Sequence, residues 1–530
     1  MEKKTAEFHS TLPYPSTRSA ILLALATIAI SLIWWLPKFT ASGNPFDEAI
    51  LLVYPELCLL GKILHRDFQA YYGPANIWLL AGVYNLFGIS IGVERIVGLV
   101  ERTVLLFLMG CLALRLQPRA IVATLLSTLL ILTPLSLIAL AWIPTVIFAL
   151  AGLLVSIRVR NHSHYAAIAG FLLATSLQFR PDAGPAVLLA SGVYLISWNS
   201  KQRWQWLAGF LIGNLPMLLH LLTAGPQALW NNLIFYPLFV VKDGRIIHWA
   251  EVKAIIKPLL ALGFFLATAN LVTGWIFWRR RPDTDGTPLY FAAAVLGAGL
   301  SHQIFQRCDL AHLAMGSLIT FPLGAITLHH WLPWKKGWLQ TLVGTIACVV
   351  LFTICAPSYA NRIAFPQLRE VVSQKTTPAA VLTNNNRTWP LDPPTAQFHA
   401  NLILQYLHEQ GRDGDKIFVG PGDLRRTFYS DLYFYHLLLP KIQPSGYFLE
   451  LNPLLTNSET SGIDQQIARS QWVLLNQIYD HFFEANRSSE YGSSKPNNVL
   501  KSRFHETLRS GPFILYRIST SPPLENPITL

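Results

Sequence analysis

The sequence predicts a polytopic α-helical membrane protein of about eleven spans, followed by a C-terminal extracytoplasmic α/β domain. Three observations predict it. Of 530 residues, 52% are hydrophobic and only 13% charged, with a mean hydropathy of +0.37, whereas soluble domains carry about 25% charged residues. Apolar stretches approaching the ~20 residues that a span needs recur up to residue 356 and then stop. Basic residues gather at every second boundary between them, as the positive-inside rule requires.

The stretches lie near 19–37, 95–116, 120–141, 143–157, 165–180, 184–198, 204–223, 255–278, 288–305, 310–331 and 338–356. The first follows Lys3, Lys4 and Arg18 but has no small-residue cleavage site behind it, so it is expected to stay as an anchor. Arg115/Arg119, Arg158/Arg160, Lys201/Arg203, Arg279–Arg281 and Lys335/Lys336 mark the inner side. This puts the N-terminus in the cytoplasm. Residues 357–530 and the loops 38–94, 181–183, 224–254 and 306–309 then lie outside.

Loop 38–94 reads as two interfacial helices, 46–65 and 75–91, around the segment from Arg66 to Pro74. The loop 224–254 carries Trp230, Phe235, Tyr236, Phe239 and Trp249, the aromatics expected at headgroup level. The chain therefore divides into a membrane domain, 1–356, and an α/β domain, 357–530. In the latter a Thr/Asn/Pro-rich loop at 375–395 precedes helices at 396–410, 424–438 and 463–469. These alternate with strands at 416–420, 472–476 and 513–518.

The net charge of +12 does not indicate nucleic acid. Residues 1–356 hold 25 Lys/Arg against 14 Asp/Glu, and these form short clusters between apolar runs, with no continuous basic stripe. The five cysteines show no metal-ligand spacing.

Chemistry-bearing groups concentrate at the outer ends of spans, where ionisable residues usually face a polar cavity. Asp47-Glu48 follow the first span, with the bland alternative that they are helix-start carboxylates. Arg66, Asp67 and Tyr72 share that loop. Arg180-Pro181-Asp182 and Arg307/Asp309/His312 emerge on the same side, with mutual pairing or snorkelling as their alternatives. A divalent metal on His312, Asp309 and Asp47 stays open, without supporting spacing. Asp283-Thr-Asp285 and Asp413-Gly-Asp415 read as hydrophilic turns.

One span, an outer loop opening with Asp-Glu, and the segments Gly61…Arg66-Asp67-Phe68…Tyr72-Gly73-Pro74 and Leu86-Phe87-Gly88…Glu94-Arg95 together resemble the GT-C superfamily. These are integral-membrane glycosyltransferases of the protein O-mannosyltransferase and aminoarabinose transferase type, family-39-like. The resemblance covers the membrane half. It departs at Gly73-Pro74, where Pro-Pro is usual, and in the C-terminal domain.

The resemblance implies transfer of a sugar from a polyprenyl-phosphate donor to an extracytoplasmic lipid, glycan or protein. Asp47 would be the catalytic carboxylate with Glu48 beside it, and Arg66, Asp67, Tyr72, Arg180, Asp182, Arg307, Asp309 and His312 would bind substrate. Physically, one carboxylate takes the acceptor proton and a guanidinium steadies the departing phosphate. Such a single displacement inverts the anomeric centre. The competing readings are a transporter or flippase for a lipid-linked or anionic substrate and a non-catalytic envelope scaffold.

Overall fold

The computed structural model describes residues 17–252, 254, 256–280, 286–331, 337–355, 365–373, 380–482, 484–519 and 528–529. Lys3, Lys4, Arg281, the Asp283/Asp285 turn and Lys335/Lys336 lie outside them. The described residues form two compact units, one within Met1–Leu36, Gly98–Leu218 and His248–Lys375, the other within Pro37–Val97, Leu219–Ile247 and Thr376–Leu530.

The chain is a multi-pass membrane protein. Among the described residues seven helices are long and apolar enough to cross a membrane: Thr17–Thr40, Ile91–Leu116, Pro118–Leu135, Trp142–Arg160, Ser200–Ala224, Lys257–Arg280 and Gly286–Gln306. The pair Leu310–Gly316 and Thr320–Trp331, bent by 59°, makes up to eight. Three of the eleven expected spans are not among these: of 338–356 only Thr341–Val350 appears, as a shorter apolar helix, and two fall short, Tyr165–Phe179 with 15 residues and Gly184–Leu195 with 12. At 1.5 Å per residue neither covers the ~30 Å hydrocarbon layer, because Arg180-Pro181-Asp182 interrupts the apolar run between them.

In the first unit small residues let helices approach closely. A Cβ on Gly170 would run into the backbone of Trp206, and one on Gly209 into that of Ala167. These glycines hold Tyr165–Phe179 against Ser200–Gly213 through backbone contact, as packing in lipid favours.

The second unit contains a six-stranded mixed sheet. Its strands are β3 (Lys416–Pro421), β4 (Gln443–Pro444), β5 (Trp472–Asn476), β6 (Phe504–Ser510), β7 (Phe513–Ile518) and β8 (Ile528–Thr529), in the order β4-β3-β5-β7-β6-β8. β3 and β5 run parallel with Ile417 opposite Trp472, while β5 and β7 are antiparallel with Leu474 opposite Leu515. Val473, Leu475, Phe418, Leu451, Ile463 and Ile467 build the core. A continuous apolar run such as Trp472–Asn476 is buried at every position, as expected for a central strand.

Three expectations need correction. Residues 375–395 are no simple loop: β1 (Ala380–Asn384) and β2 (Arg387–Leu391) form a hairpin. Asn385 and Asn386 turn it with φ of 50° and 62°, the left-handed geometry of a two-residue hairpin turn. The helix expected over 424–438 is confined to Tyr433–Leu438, since side chains elsewhere hold the preceding backbone; Asn457, for instance, donates to the Arg425 carbonyl at 2.9 Å. The two loop helices are shorter than expected, Asp47–Leu59 and Ala75–Phe87.

Candidate functional site

The Asp-Glu segment is fixed from several sides within the second unit. The Gly43 N–H donates to the Pro390 carbonyl at 2.8 Å and the Leu432 N–H to the Pro45 carbonyl at 3.0 Å. Phe46 packs on Tyr429 with ring centroids 5.1 Å apart. The Asn44 side chain accepts from the N–H of Asp47 at 2.8 Å and of Phe46 at 3.0 Å, starting the helix Asp47–Leu59. Both carboxylates thus occupy the first turn, where the helix dipole favours negative charge.

Their environments differ sharply. Glu48 is 2% exposed and is gripped by Arg95, with Nε to Oε1 at 2.7 Å and Nη2 to Oε2 at 3.1 Å. Arg95 also donates to the carbonyls of Lys38, Phe39 and Ala41. Asp47 is exposed, with Asn44 Nδ2 donating to it at 3.2 Å.

Sequence reasoning missed two charged groups near Asp47. Arg245 lies 3.8 Å from Glu450 and over the Tyr71 ring, 5.4 Å from its centroid. Asp47, Tyr71, Tyr72 and Glu450 all bear electrostatically on its guanidinium. Burial holds the Glu450 carboxyl above the ordinary range, opposed by Arg245 and reinforced by the charge of Asp47. Arg245 and Glu450 are far apart in the chain and no local motif flags either. The one available signal was the position of Arg245 in a loop rich in aromatics.

Arg66 and Asp67 pair with each other at 2.9 Å on the exposed loop. Arg66 holds the Asp67 carboxyl below its usual range, and the Ile63 N–H donates to it at 2.8 Å. Tyr72 is 37% exposed, and its carbonyl lies 3.0 Å from His65 Nε2. Burial pushes His65 down to about 3, so it is neutral at pH 7 and its second ring nitrogen meets His220 at 2.8 Å.

The other candidates belong to the first unit. Arg180 makes a bidentate pair with Asp182 at 2.8 and 2.7 Å and lies over Trp142, 4.6 Å from the ring centroid. Gln303 also donates to Asp182, at 2.9 Å. Arg307 pairs with Asp309 at 2.5 Å, while Asp309 caps the helix Leu310–Gly316 and meets His312 Nδ1 at 2.9 Å. Asp182 and Asp309 both stay below the ordinary carboxylate range because Arg180 at the one, and His312 with Arg307 at the other, outweigh burial. Among the described residues no group of three or more His, Cys, Asp or Glu is placed to hold a metal.

Fold and site together define a multi-pass membrane protein in which an α/β domain packs in one unit with the Asp-Glu loop. The chain is similar to ArnT from Cupriavidus metallidurans bound to undecaprenyl phosphate, at 12% identity over 96% of this chain and 99% of that one, with a TM-score of 0.49. It is similar also to the apo state of ArnT, at 12% identity over 94% and 98%, with a TM-score of 0.48. No family model and no curated protein matches the chain.

Proposed function

We propose that this protein is a membrane glycosyltransferase that moves a sugar from a polyprenyl-phosphate donor to an acceptor outside the cytoplasm. The observation that carries the reading is the separation of the two adjacent carboxylates: Glu48 is buried on Arg95, while Asp47 is exposed in the field of Arg245. Asp47 takes the proton of the acceptor hydroxyl. The acceptor oxygen bonds to the anomeric carbon as the bond to phosphate breaks, and configuration inverts. A guanidinium steadies the phosphate that leaves.

Arg245 is proposed for that cation because it belongs to the same compact unit as Asp47. Arg307 with Asp309 and His312, and Arg180 with Asp182, are proposed as further donor contacts. Arg66, Asp67 and Tyr72 serve the loop beside Asp47. The proposed orientation keeps the N-terminus in the cytoplasm and residues 357–530 outside, where no nucleotide sugar is available and a lipid-carried donor is required.

One observation bears on the transporter reading. Transporters place charge on broken spans, and Leu310–Gly316 with Thr320–Trp331 is such a break. Yet the break itself, Ser317-Leu318-Ile319, carries no ionisable group. Purified protein incubated with polyprenyl-phosphate sugars and acceptor membranes tests the proposal by mass analysis. Transfer appears as an acceptor heavier by one sugar residue together with free polyprenyl phosphate. Donor that crosses a vesicle bilayer chemically unchanged identifies a transporter.

A further inference from the structure

The second unit contains a cavity of about 520 Å³, within the usual size range for small-ligand sites. One wall is the π-helical stretch Asn231–Val240, which supplies Tyr236; the others come from Ser445–Phe448 and from the segment 454–469. Its lining mixes polar groups with the apolar Phe235, Val240, Phe448, Leu454 and Leu455. Ser458, Thr460 and Ser461 present hydroxyls and Gln465 an amide, while Tyr236 and Tyr447 present aromatic surface. Arg469 is the only charged residue in the lining. It is exposed.

Ser445, 6% exposed, also lines the cavity, and its hydroxyl has no hydrogen-bond partner among the described residues. A buried hydroxyl without a partner is costly unless something supplies one. Tyr447 is held rigidly: its hydroxyl donates to the His65 carbonyl at 2.9 Å and accepts from Asn232 Nδ2 at 2.6 Å. Its carbonyl accepts from the Gln69 N–H at 2.9 Å. The cavity wall is therefore tied to the loop that carries Arg66 and Asp67.

From this chemistry we infer that the cavity binds an acidic saccharide. Several neutral donors and acceptors suit a ligand dense in hydroxyls. The electron-rich faces of Tyr236 and Tyr447 suit the C–H faces of pyranose rings. A single guanidinium without a competing carboxylate in the lining suits one carboxylate or phosphate on the sugar. An acyl chain would leave these hydroxyls and the Gln465 amide without partners. The inference goes beyond the transferase reading, since it concerns binding and holds whether or not transfer occurs.

Isothermal titration of the full-length protein in detergent tests it, with tri-galacturonate as the acidic probe and maltotriose as the neutral one. Tri-galacturonate is expected to bind saturably and more tightly than maltotriose. Arg469→Gln should weaken tri-galacturonate by about tenfold or more while sparing maltotriose, and Tyr236→Ala should weaken both. Arg412→Gln, on the same unit's surface, should change neither. No saturable binding of either sugar, or equal affinity for both with no effect of Arg469→Gln, would overturn the inference. Asp47→Asn must leave this binding intact, so loss of transfer and loss of saccharide binding are read separately.

Discussion

Arg95 holds Glu48 through two hydrogen bonds, at 2.7 and 3.1 Å, with both side chains 2% exposed. Removing one member strands the other as a buried charge, which costs about 3–5 kcal/mol. Glu48→Gln and Arg95→Ala should therefore each lower the unfolding midpoint of the detergent-solubilised protein markedly. Midpoints equal to wild type would mean that the pair does not fasten the loop.

Gly43 faces the indole of Trp389, and an added Cβ would overlap its ring. Trp389 cannot simply retreat, being fully buried and stacked on Tyr433 at 5.5 Å. Gly43→Ala should shift the segment that carries Asp47 and reduce transfer by about 10²-fold, the usual effect of a displacement near 1 Å. Gly82→Ala, which meets open space, should leave transfer unchanged. Equal rates in the two variants would refute the positioning role.

Asp431 gives a pH signature. Its carboxylate accepts from Tyr479 Oη and Asn476 Nδ2, both at 2.6 Å, yet burial lifts the carboxyl from 3.8 to about 6. The folded state thus holds a proton that the unfolded chain releases near pH 4. The stability this contributes is complete below pH 4 and lost as pH rises to 6. Asp431→Asn should flatten that interval and stabilise the protein at pH 7 by about 3 kcal/mol. Unfolding midpoints measured from pH 4 to 8 decide it; a mutant profile parallel to wild type would contradict it.

Donor affinity separates the arginines. If Arg307 grips the donor phosphate through its planar fork, Arg307→Lys weakens binding even though charge is kept; a snorkelling side chain tolerates the exchange. Arg245→Ala is expected to weaken donor binding by roughly 10- to 100-fold, as for hydrogen bonds to charged groups. Titration with a polyprenyl-phosphate sugar reads both. Unchanged affinity in Arg307→Lys and Arg307→Ala would remove Arg307 from the site, and unchanged affinity in Arg245→Ala would remove Arg245.

Much of the fold was legible because its signals are local. Strand Trp472–Asn476 and strand Phe513–Ile518 coincide with their apolar runs. Helix Lys495–Arg503 and strand Phe504–Ser510 did not stand out, being largely polar in sequence and recruited by pairing with β7. In the site, the residues themselves do not separate Asp47 from Glu48, and the resemblance alone favoured Asp47. The fold gives the physical difference by delivering Arg95 to Glu48. The clue was present: an arginine inside an apolar helix requires a partner. Arg387 shows the same limit, since its bidentate pairing with Glu56 at 2.6 Å joins residues 331 positions apart.

The most direct measurement is the rate of sugar transfer from a polyprenyl-phosphate donor by wild type, Asp47→Asn and Glu48→Gln, each normalised to folded protein. With Asp47 as the base, Asp47→Asn keeps the wild-type unfolding midpoint and loses about 10²–10⁴-fold in rate. Glu48→Gln loses stability first. Full activity in Asp47→Asn, with activity abolished in folded Glu48→Gln, would contradict the account and make the neighbouring carboxylate the base.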